Sequence, residues 1–288
     1  METFKSNTYE KNRIVIDIDI LTVCNYHCRY CYARGEKNKW NKIMSIDDIK
    51  SICTKISTMD KVVDINILGG EPTLHPKLRE ILKLFHSLRN VEDVTITTNS
   101  SPLAVRKLMK VFDELDIRKY PKIRLNLSFH PKEIKDMDEF YYDVKRFYDL
   151  GRLDLVTVMV EEGCIQEVND LMKYAENFPY TLFEQIYPCV DGIVEVQEGT
   201  TSDFNKIYLR NDTGPYGYDE VIKKGYNHFK GWKCMINRLA IKVDGTLITN
   251  CLPDGKNILR DFKFDEFMIC PLEECTESCT LESLKWKE

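Results

Sequence analysis

Residues 12–31 read "NRIVIDIDILTVCNYHCRYC", and this segment indicates both the fold and the site. Its first part, 12–23, alternates apolar and acidic residues and is rich in β-branched ones, which predicts a strand that ends just before Cys24. Cys24, Cys28 and Cys31 then lie together on the following loop. Three thiols at this spacing predict a metal site, because thiolates are the usual ligands of zinc and of iron–sulfur clusters.

Strands and helices alternate along most of the chain after this segment. Such alternation predicts βαβ units and a parallel sheet, either doubly wound or closed into a full or partial barrel. Polar and Gly-rich turns after several strands favour the barrel, whose strand ends share one rim. The predicted fold class is therefore α/β, a partial (β/α)6 parallel TIM-like barrel with a small cysteine-rich C-terminal module. The predicted strands are 12–23, 62–68, 93–99, 122–129, 153–160 and 180–188, and the predicted helices are 45–58, 75–90, 102–115, 138–150 and 165–178.

The alternation of strands and helices ends at Cys189, and the chain is accordingly divided into three parts. Residues 12–189 are predicted to form the barrel. Residues 190–230 are rich in Gly, Asp and Tyr and are interpreted as a connector or insertion. Residues 231–288 carry a second group of cysteines and are predicted to form the C-terminal module.

The composition of the 288 residues is that of a globular protein, with 43% hydrophobic and 30% charged residues. The net charge of −5 argues against a broad nucleic-acid-binding surface, but it does not exclude a local basic patch. The polar N-terminus holds no signal peptide, and no apolar run approaches the ~18 residues of a membrane helix. We therefore expect a cytoplasmic protein that does not associate with membranes.

The chain has 11 cysteines, which is high for a protein in a reducing compartment. Disulfides are disfavoured there, so clustered cysteines indicate metal binding. A structural zinc ion takes four ligands, whereas the loop at residues 24–31 offers three. A [4Fe–4S] cluster with one iron left open fits three thiolates directly, so the count favours the cluster over zinc.

The segment "CNYHCRYC" resembles the CxxxCxΦC signature of radical S-adenosylmethionine (SAM) enzymes, with Tyr30 as the aromatic residue. The resemblance implies that Cys24, Cys28 and Cys31 hold a [4Fe–4S] cluster whose open iron binds the amino and carboxylate groups of SAM. One electron then cleaves SAM to methionine and a 5′-deoxyadenosyl radical, which abstracts a hydrogen atom from a substrate. An electron donor such as flavodoxin or ferredoxin is implied as a partner.

The segment "LGGEP" at 68–72 resembles the GGE motif of the same family. Gly69 and Gly70 would let the backbone approach a ligand closely. Glu71 would accept a charge-assisted hydrogen bond from the SAM ammonium group. A Gly-Gly pair after a strand is otherwise most often a tight turn.

Three further positions are expected to contact SAM by the same resemblance. "TTNS" at 97–100 resembles the ending of the family's third strand, with a serine in place of the usual glycine, and suggests Asn99. Ser128 closes the fourth strand, where the family often has a polar residue for the ribose; such a residue is also common for structural reasons. Adenine is expected to lie against Tyr30 and the backbone at Tyr32.

His130 follows the fourth strand and precedes a proline, so it should lie on the same rim. It is a candidate to contact substrate or to act as an acid or base. The alternative is an ordinary loop histidine that hydrogen-bonds the backbone.

The C-terminal cysteines resemble the SPASM or shortened twitch extension of radical SAM enzymes. A hairpin with Asp244-Gly245 at its turn separates the first two of them. Five cysteines would suit one auxiliary [4Fe–4S] cluster, and a structural zinc site is the alternative. The five are Cys234, Cys251, Cys270, Cys275 and Cys279.

The sequence thus predicts a radical SAM enzyme whose substrate is a peptide or protein, a small molecule or a nucleotide. The competing hypothesis is a non-catalytic zinc- or iron–sulfur-binding α/β protein that acts in assembly or electron transfer.

Overall fold

The structure is a computed structural model, and it describes part of the chain. The described residues are 2–5, 10, 12–28, 31, 41–159, 164, 166–167, 170–171, 181–182, 189–190, 193–194, 227–249, 252–260, 264–275 and 283–287. Most of the predicted helix 165–178 and of the predicted connector 190–230 lies outside them.

The described strands and helices alternate as predicted over the first 160 residues. The strands are β1 (Glu2–Lys5), β2 (Arg13–Asp19), β3 (Val62–Leu68), β4 (Val91–Thr98), β5 (Ile123–Phe129), β6 (Leu153–Val158), β7 (Thr181–Leu182), β8 (Cys189–Val190), β9 (Ile193–Val194), β10 (Lys233–Met235), β11 (Arg238–Ile241), β12 (Thr246–Thr249), β13 (Leu252–Asn257), β14 (Phe267–Ile269) and β15 (Leu284–Lys287). The helices are α1 (Ile46–Ser57), α2 (Leu78–His86), α3 (Pro102–Leu115) and α4 (Met137–Asp149).

Strands β2 to β7 are parallel neighbours in chain order, within a sheet of nine strands. The fold class is confirmed: the chain forms an α/β partial TIM-like barrel with a small antiparallel C-terminal module that contains cysteines. Apolar side chains on one face of these strands, such as Ile16 and Ile65, are fully buried in one core with the apolar faces of the helices. The opposite face lines the interior of the barrel and is largely polar, with Asp17 and Asn66 among its residues.

The helix ends follow their local sequence. Ser45 and Asp48 form the predicted capping box at the start of α1. Ser101 caps α3, whose first residue is a proline, and Asp136 caps α4. The chain turns after α4 at Gly151, where φ is +64°.

The predicted C-terminal hairpin is present, but its first strand joins the barrel. Strands β11 and β12 pair in antiparallel fashion around the Asp244-Gly245 turn, and β11 pairs in parallel with β2. The barrel sheet therefore gains three strands from the C-terminal segment, in the order β13, β12, β11, β2.

A second sheet has the order β1, β15, β10, β14 and carries Cys234 on β10. Strand β1 was not expected from the sequence, because its pairing partner β15 comes from the opposite end of the chain. None of the helices in the described part of the chain is long and apolar enough to cross a membrane.

Candidate active site

Cys24, Cys28 and Cys31 form no disulfide and share one apolar cluster with Tyr26 and Met159. The Tyr26 amide donates to Cys24 Sγ at 3.5 Å, and the Cys31 amide donates to the Cys28 carbonyl at 3.3 Å. Burial raises the pKa of Tyr26, and its hydroxyl has no hydrogen-bond partner within the described part of the chain. Three thiols gathered from one loop under an apolar cover fit the ligand set that an iron–sulfur cluster requires.

Two N–H-bearing side chains from neighbouring strand ends reach these thiols. His130 Nδ1 lies 3.6 Å from Cys28 Sγ, and its ring packs edge-on against Tyr26 with centroids 5.7 Å apart. Asn99 Nδ2 lies 3.7 Å from Cys24 Sγ. The structure thus brings His130 to the cysteine loop, and its role as an acid or base stays a prediction.

Gly69 and Gly70 pack against the backbone that leads to Cys24. A Cβ atom at Gly69 would lie 2.3 Å from the Leu21 carbonyl oxygen, and one at Gly70 would lie 2.0 Å from the Val23 carbonyl oxygen. The Gly70 amide donates to the Leu21 carbonyl at 2.8 Å. The close approach that these glycines allow is therefore to the chain's own backbone, and an approach to a ligand stays a prediction.

Glu71 is fully buried, and its carboxylate links the end of β3 to the end of β4 through hydrogen bonds. Oε1 accepts from the amide and hydroxyl of Thr73 at 3.1 and 2.7 Å and from the Thr98 hydroxyl at 2.9 Å. Oε2 accepts from the Asn99 amide at 2.7 Å. Burial raises the pKa of Glu71, and these donors oppose the rise. A contact with the SAM ammonium group would add a further partner to a carboxylate that solvent does not reach.

Asn99 belongs to a hydrogen-bonded chain of side chains that ties the cysteine loop to α3. Its Nδ2 donates to Asn25 Oδ1 at 2.9 Å, and Asn25 Nδ2 donates to the Ser101 hydroxyl at 2.8 Å. Ser100, which lies between Asn99 and Ser101 in the sequence, has a φ of +56°. A positive φ favours glycine, which explains why glycine is usual at this position in the resembled motif.

Ser128 is buried near the end of β5, beside Thr157 of β6 in the strand register. It lies two residues before His130 and on the strand face that Asn126 shares. The structure therefore places it at the strand end where it was predicted, and contact with a ribose stays a prediction.

A cavity of about 1220 Å³ lies against the polar face of the barrel strands. Two arginines line it, and both approach aspartates: Arg238 Nε lies 2.7 Å from Asp17 Oδ2, and Arg124 Nε lies 4.0 Å from Asp93 Oδ1. Its charged lining residues are Asp17, Asp64, Asp93, Arg124, Asp149, Asp154 and Arg238.

Three of the C-terminal cysteines are described, and all three are buried and form no disulfide. Cys270 and Cys275 share an apolar cluster with Phe229. Cys234 Sγ lies 3.7 Å from Ser283 Oγ. Cys234 precedes β11 in the sequence, and Cys24 follows β2. Because β11 runs parallel to β2, the two cysteines lie beyond opposite ends of this pair of strands.

Four predicted site residues, Tyr30, Tyr32, Cys251 and Cys279, lie outside the described residues. Within the described ranges, no three His, Cys, Asp or Glu side chains are gathered closely enough to hold a single metal ion. The sequence pointed to Asn99 but not to Thr73, Thr98 or Asn25, because the roles of these side chains depend on contacts between different strand ends. The signal available for Asn25 was only its position next to Cys24.

A model of the Radical SAM superfamily matches residues 18–161. The GTP 3′,8-cyclase of Mannheimia succiniciproducens is 25% identical over 236 residues, which are 76% of this chain and 64% of that enzyme. A probable GTP 3′,8-cyclase of Saccharolobus islandicus is 27% identical over 270 residues, covering 84% of this chain and 83% of that protein.

Two solved structures share the fold at low identity. Streptococcus suis SuiB bound to S-adenosylmethionine matches with a TM-score of 0.55 and 15% identity, over 84% of this chain and 60% of SuiB. Native anSMEcpe with bound AdoMet and a Cp18Cys peptide matches with a TM-score of 0.56 and 16% identity, over 86% of this chain and 78% of that one. The chain thus spans less than two thirds of the length of the Mannheimia enzyme and of SuiB.

Proposed function

The chain belongs to the radical SAM superfamily, and on this premise we propose that it cleaves S-adenosylmethionine reductively and uses the 5′-deoxyadenosyl radical to abstract a hydrogen atom from a substrate. One observation carries the proposal: the side chains of Cys24, Cys28 and Cys31 share one cluster beyond the end of the first barrel strand. When bound there, a [4Fe–4S] cluster supplies the electron for the cleavage and an open iron for SAM.

The residues of this chain would hold and shield that cluster. The three thiols would be its ligands, and Tyr26 and Met159, which pack against them, would exclude water from one side. Asn99 Nδ2 and His130 Nδ1 lie within 3.7 Å of ligand sulfurs, where N–H groups would stabilise negative charge. Such contacts support placement of the cluster, and the protein's other task is to place SAM beside it.

The proposed SAM site runs along the ends of β3, β4 and β5. Gly69 to Glu71 would lie at its methionine end, with Asn99 beside them, and Ser128 would face the ribose. Tyr30 and Tyr32 are proposed to cover the adenine.

An auxiliary [4Fe–4S] cluster is proposed for the C-terminal cysteines. The support is that Cys234, Cys270 and Cys275 form no disulfide and are no more than 4% exposed. Cys251 and Cys279 are the other candidate ligands, and zinc is the competing occupant.

The electron that cleaves SAM is proposed to come from a small redox protein such as flavodoxin or ferredoxin.

GTP is the substrate that the names of the relatives suggest for a test. The cavity against the barrel strands gives no support for a particular substrate, because none of the residues proposed to bind the cluster or SAM lines it. We therefore propose the reaction class without extending it to this nucleotide.

The test is anaerobic reconstitution with iron and sulfide, followed by dithionite and SAM. The wild type should form 5′-deoxyadenosine, and Cys28→Ala should lose at least about 100-fold of that rate because one cluster ligand is missing. Cys53→Ala is the matched control. Cys53 is also buried, but it packs in the main hydrophobic core, where burial raises the pKa of its thiol to about 12 and disfavours the thiolate form.

Stoichiometric zinc without SAM cleavage in the wild type would refute the proposal. It would instead support a non-catalytic metal-binding protein. Equal 5′-deoxyadenosine formation by Cys28→Ala and the wild type would contradict the assigned cluster ligands.

A further inference from the structure

A lysine lies fully buried in the C-terminal sheet. Lys285 is 0% exposed, although the two ends of its strand are accessible. Burying an ammonium group is costly unless negative charge or hydrogen bonds compensate, so the groups around Lys285 decide what its charge can do.

Lys285 lies beside Cys234, one of the C-terminal cysteines. It lies directly opposite Cys234 in the antiparallel pairing of β15 with β10, so the two side chains share one face of the sheet. Its ammonium donates to the Ser283 hydroxyl, and that same hydroxyl oxygen lies 3.7 Å from Cys234 Sγ. Ser283 therefore bridges the cation and the thiol.

The same ammonium reaches the other described cysteines through Phe229. Lys285 Nζ lies 5.0 Å from the centroid of the Phe229 ring, in a cation–π contact. That ring packs with Cys270 and Cys275 in one buried cluster. The ammonium group is thus linked to Cys234 through Ser283 and to the cluster of Cys270 and Cys275 through Phe229.

We propose that Lys285 is the counter-ion of an anionic thiolate–metal centre at the C-terminal cysteines, and that its charge helps to set the reduction potential of that centre. The inference rests on the auxiliary cluster of the proposed function. Thiolate ligands give an iron–sulfur cluster net negative charge, and a buried cation nearby offsets the cost of burying that charge. Reduction adds another electron, so the cation favours the reduced state more than the oxidised state.

The experiment isolates this centre by replacing Cys24, Cys28 and Cys31 with alanine in the full chain. Parent and variants are loaded anaerobically with iron and sulfide, and their midpoint potentials are measured by redox titration followed by electron paramagnetic resonance. Lys285→Met removes the charge at similar volume, and Lys285→Arg keeps it. Lys287→Met removes an exposed lysine from the same strand and is the matched control.

We expect Lys285→Met to give a more negative midpoint potential, with Lys285→Arg and Lys287→Met close to the parent. Loading should also raise the melting temperature of the Met variant less than that of the parent. Failure of the Met variant to load, with normal loading of the Arg variant, would equally support the counter-ion. A role in packing alone would move neither the potential nor the increment on loading.

Equal potentials in the parent and Lys285→Met would overturn the proposal, as would failure of both Lys285 variants to load. Binding of zinc alone, or no iron–sulfur cluster in the parent, would refute the auxiliary cluster and this inference with it. SAM cleavage by the unmodified chain is measured separately, so the proposed main reaction is tested independently of the auxiliary cluster.

Discussion

Gly70 shows at the residue scale how the cysteine loop is held. Gly70→Ala would place a Cβ atom 2.0 Å from the Val23 carbonyl oxygen, a backbone atom that cannot turn aside. We expect a loss of folding free energy of about 2 kcal/mol or more, together with reduced iron loading, since Val23 precedes Cys24. Urea denaturation and iron analysis measure the two effects.

Gly151→Ala is the control for this substitution. A Cβ atom there would meet nothing within 4 Å, but φ is +64°. The cost should be about 1 kcal/mol from backbone strain, without any change in iron loading. Equal loading by Gly70→Ala and the wild type would contradict the link between this glycine and the cysteine loop.

At the scale of the element, α4 carries a buried carboxyl group. Burial, with a further contribution from nearby Glu139 and opposition from Arg146, raises the pKa of Asp143 to about 6. The folded state therefore holds this proton more tightly than the unfolded state, whose pKa is near 3.8. The tighter binding of this proton in the folded state contributes stability that is fully present below pH ~4. That contribution is lost as the pH rises through about 6.

We predict that Asp143→Asn removes this part of the pH dependence. The free energy of unfolding of the variant relative to the wild type should rise by about 1–3 kcal/mol between pH 4 and 7. Asp138→Asn, at an exposed position of the same helix, is the control and should not reproduce the slope. Parallel slopes for Asp143→Asn and the wild type in denaturation at several pH values would disprove the assignment.

At the scale of the whole molecule, ion pairs join the C-terminal hairpin to the strand that leads to the cysteine loop. Arg238 of β11 meets Asp17 of β2 at 2.7 Å, and Lys242 lies 3.0 Å from Asp19. The Asp17 side chain is only 11% exposed and also accepts from Asn66. Removing Arg238 would therefore leave a carboxylate poorly compensated.

We predict that Arg238→Gln destabilises the chain by about 1–3 kcal/mol, and that Asp17→Asn in the same chain recovers part of the loss. A double-mutant cycle by chemical denaturation measures the coupling. The exposed pair Lys145–Asp149 is the control, with a coupling of at most about 0.5 kcal/mol. Strictly additive losses for Arg238 and Asp17 would show that the hairpin is held by its backbone pairing alone.

Much of the architecture could be predicted because it is encoded locally. The alternation of apolar and acidic residues before Cys24 predicted β2, and the helical spacing after Ser45 predicted α1 with its capping box. The Asp244-Gly245 turn predicted the hairpin. The spacing of the cysteines predicted that three thiols of one loop lie together, as they do, while their binding of a cluster stays a prediction.

The contacts that give these residues their roles depend on parts of the chain that are distant in sequence. Gly70 is required by the backbone near Cys24, and Glu71 is buried because two strand ends close over it. Strand β11 joins β2 across more than 200 residues, and the burial of Lys285 depends on strands from both ends of the chain. Periodicity and motif spacing record what one segment prefers, whereas burial and charge pairing depend on which segments meet, so only the folded chain defines them.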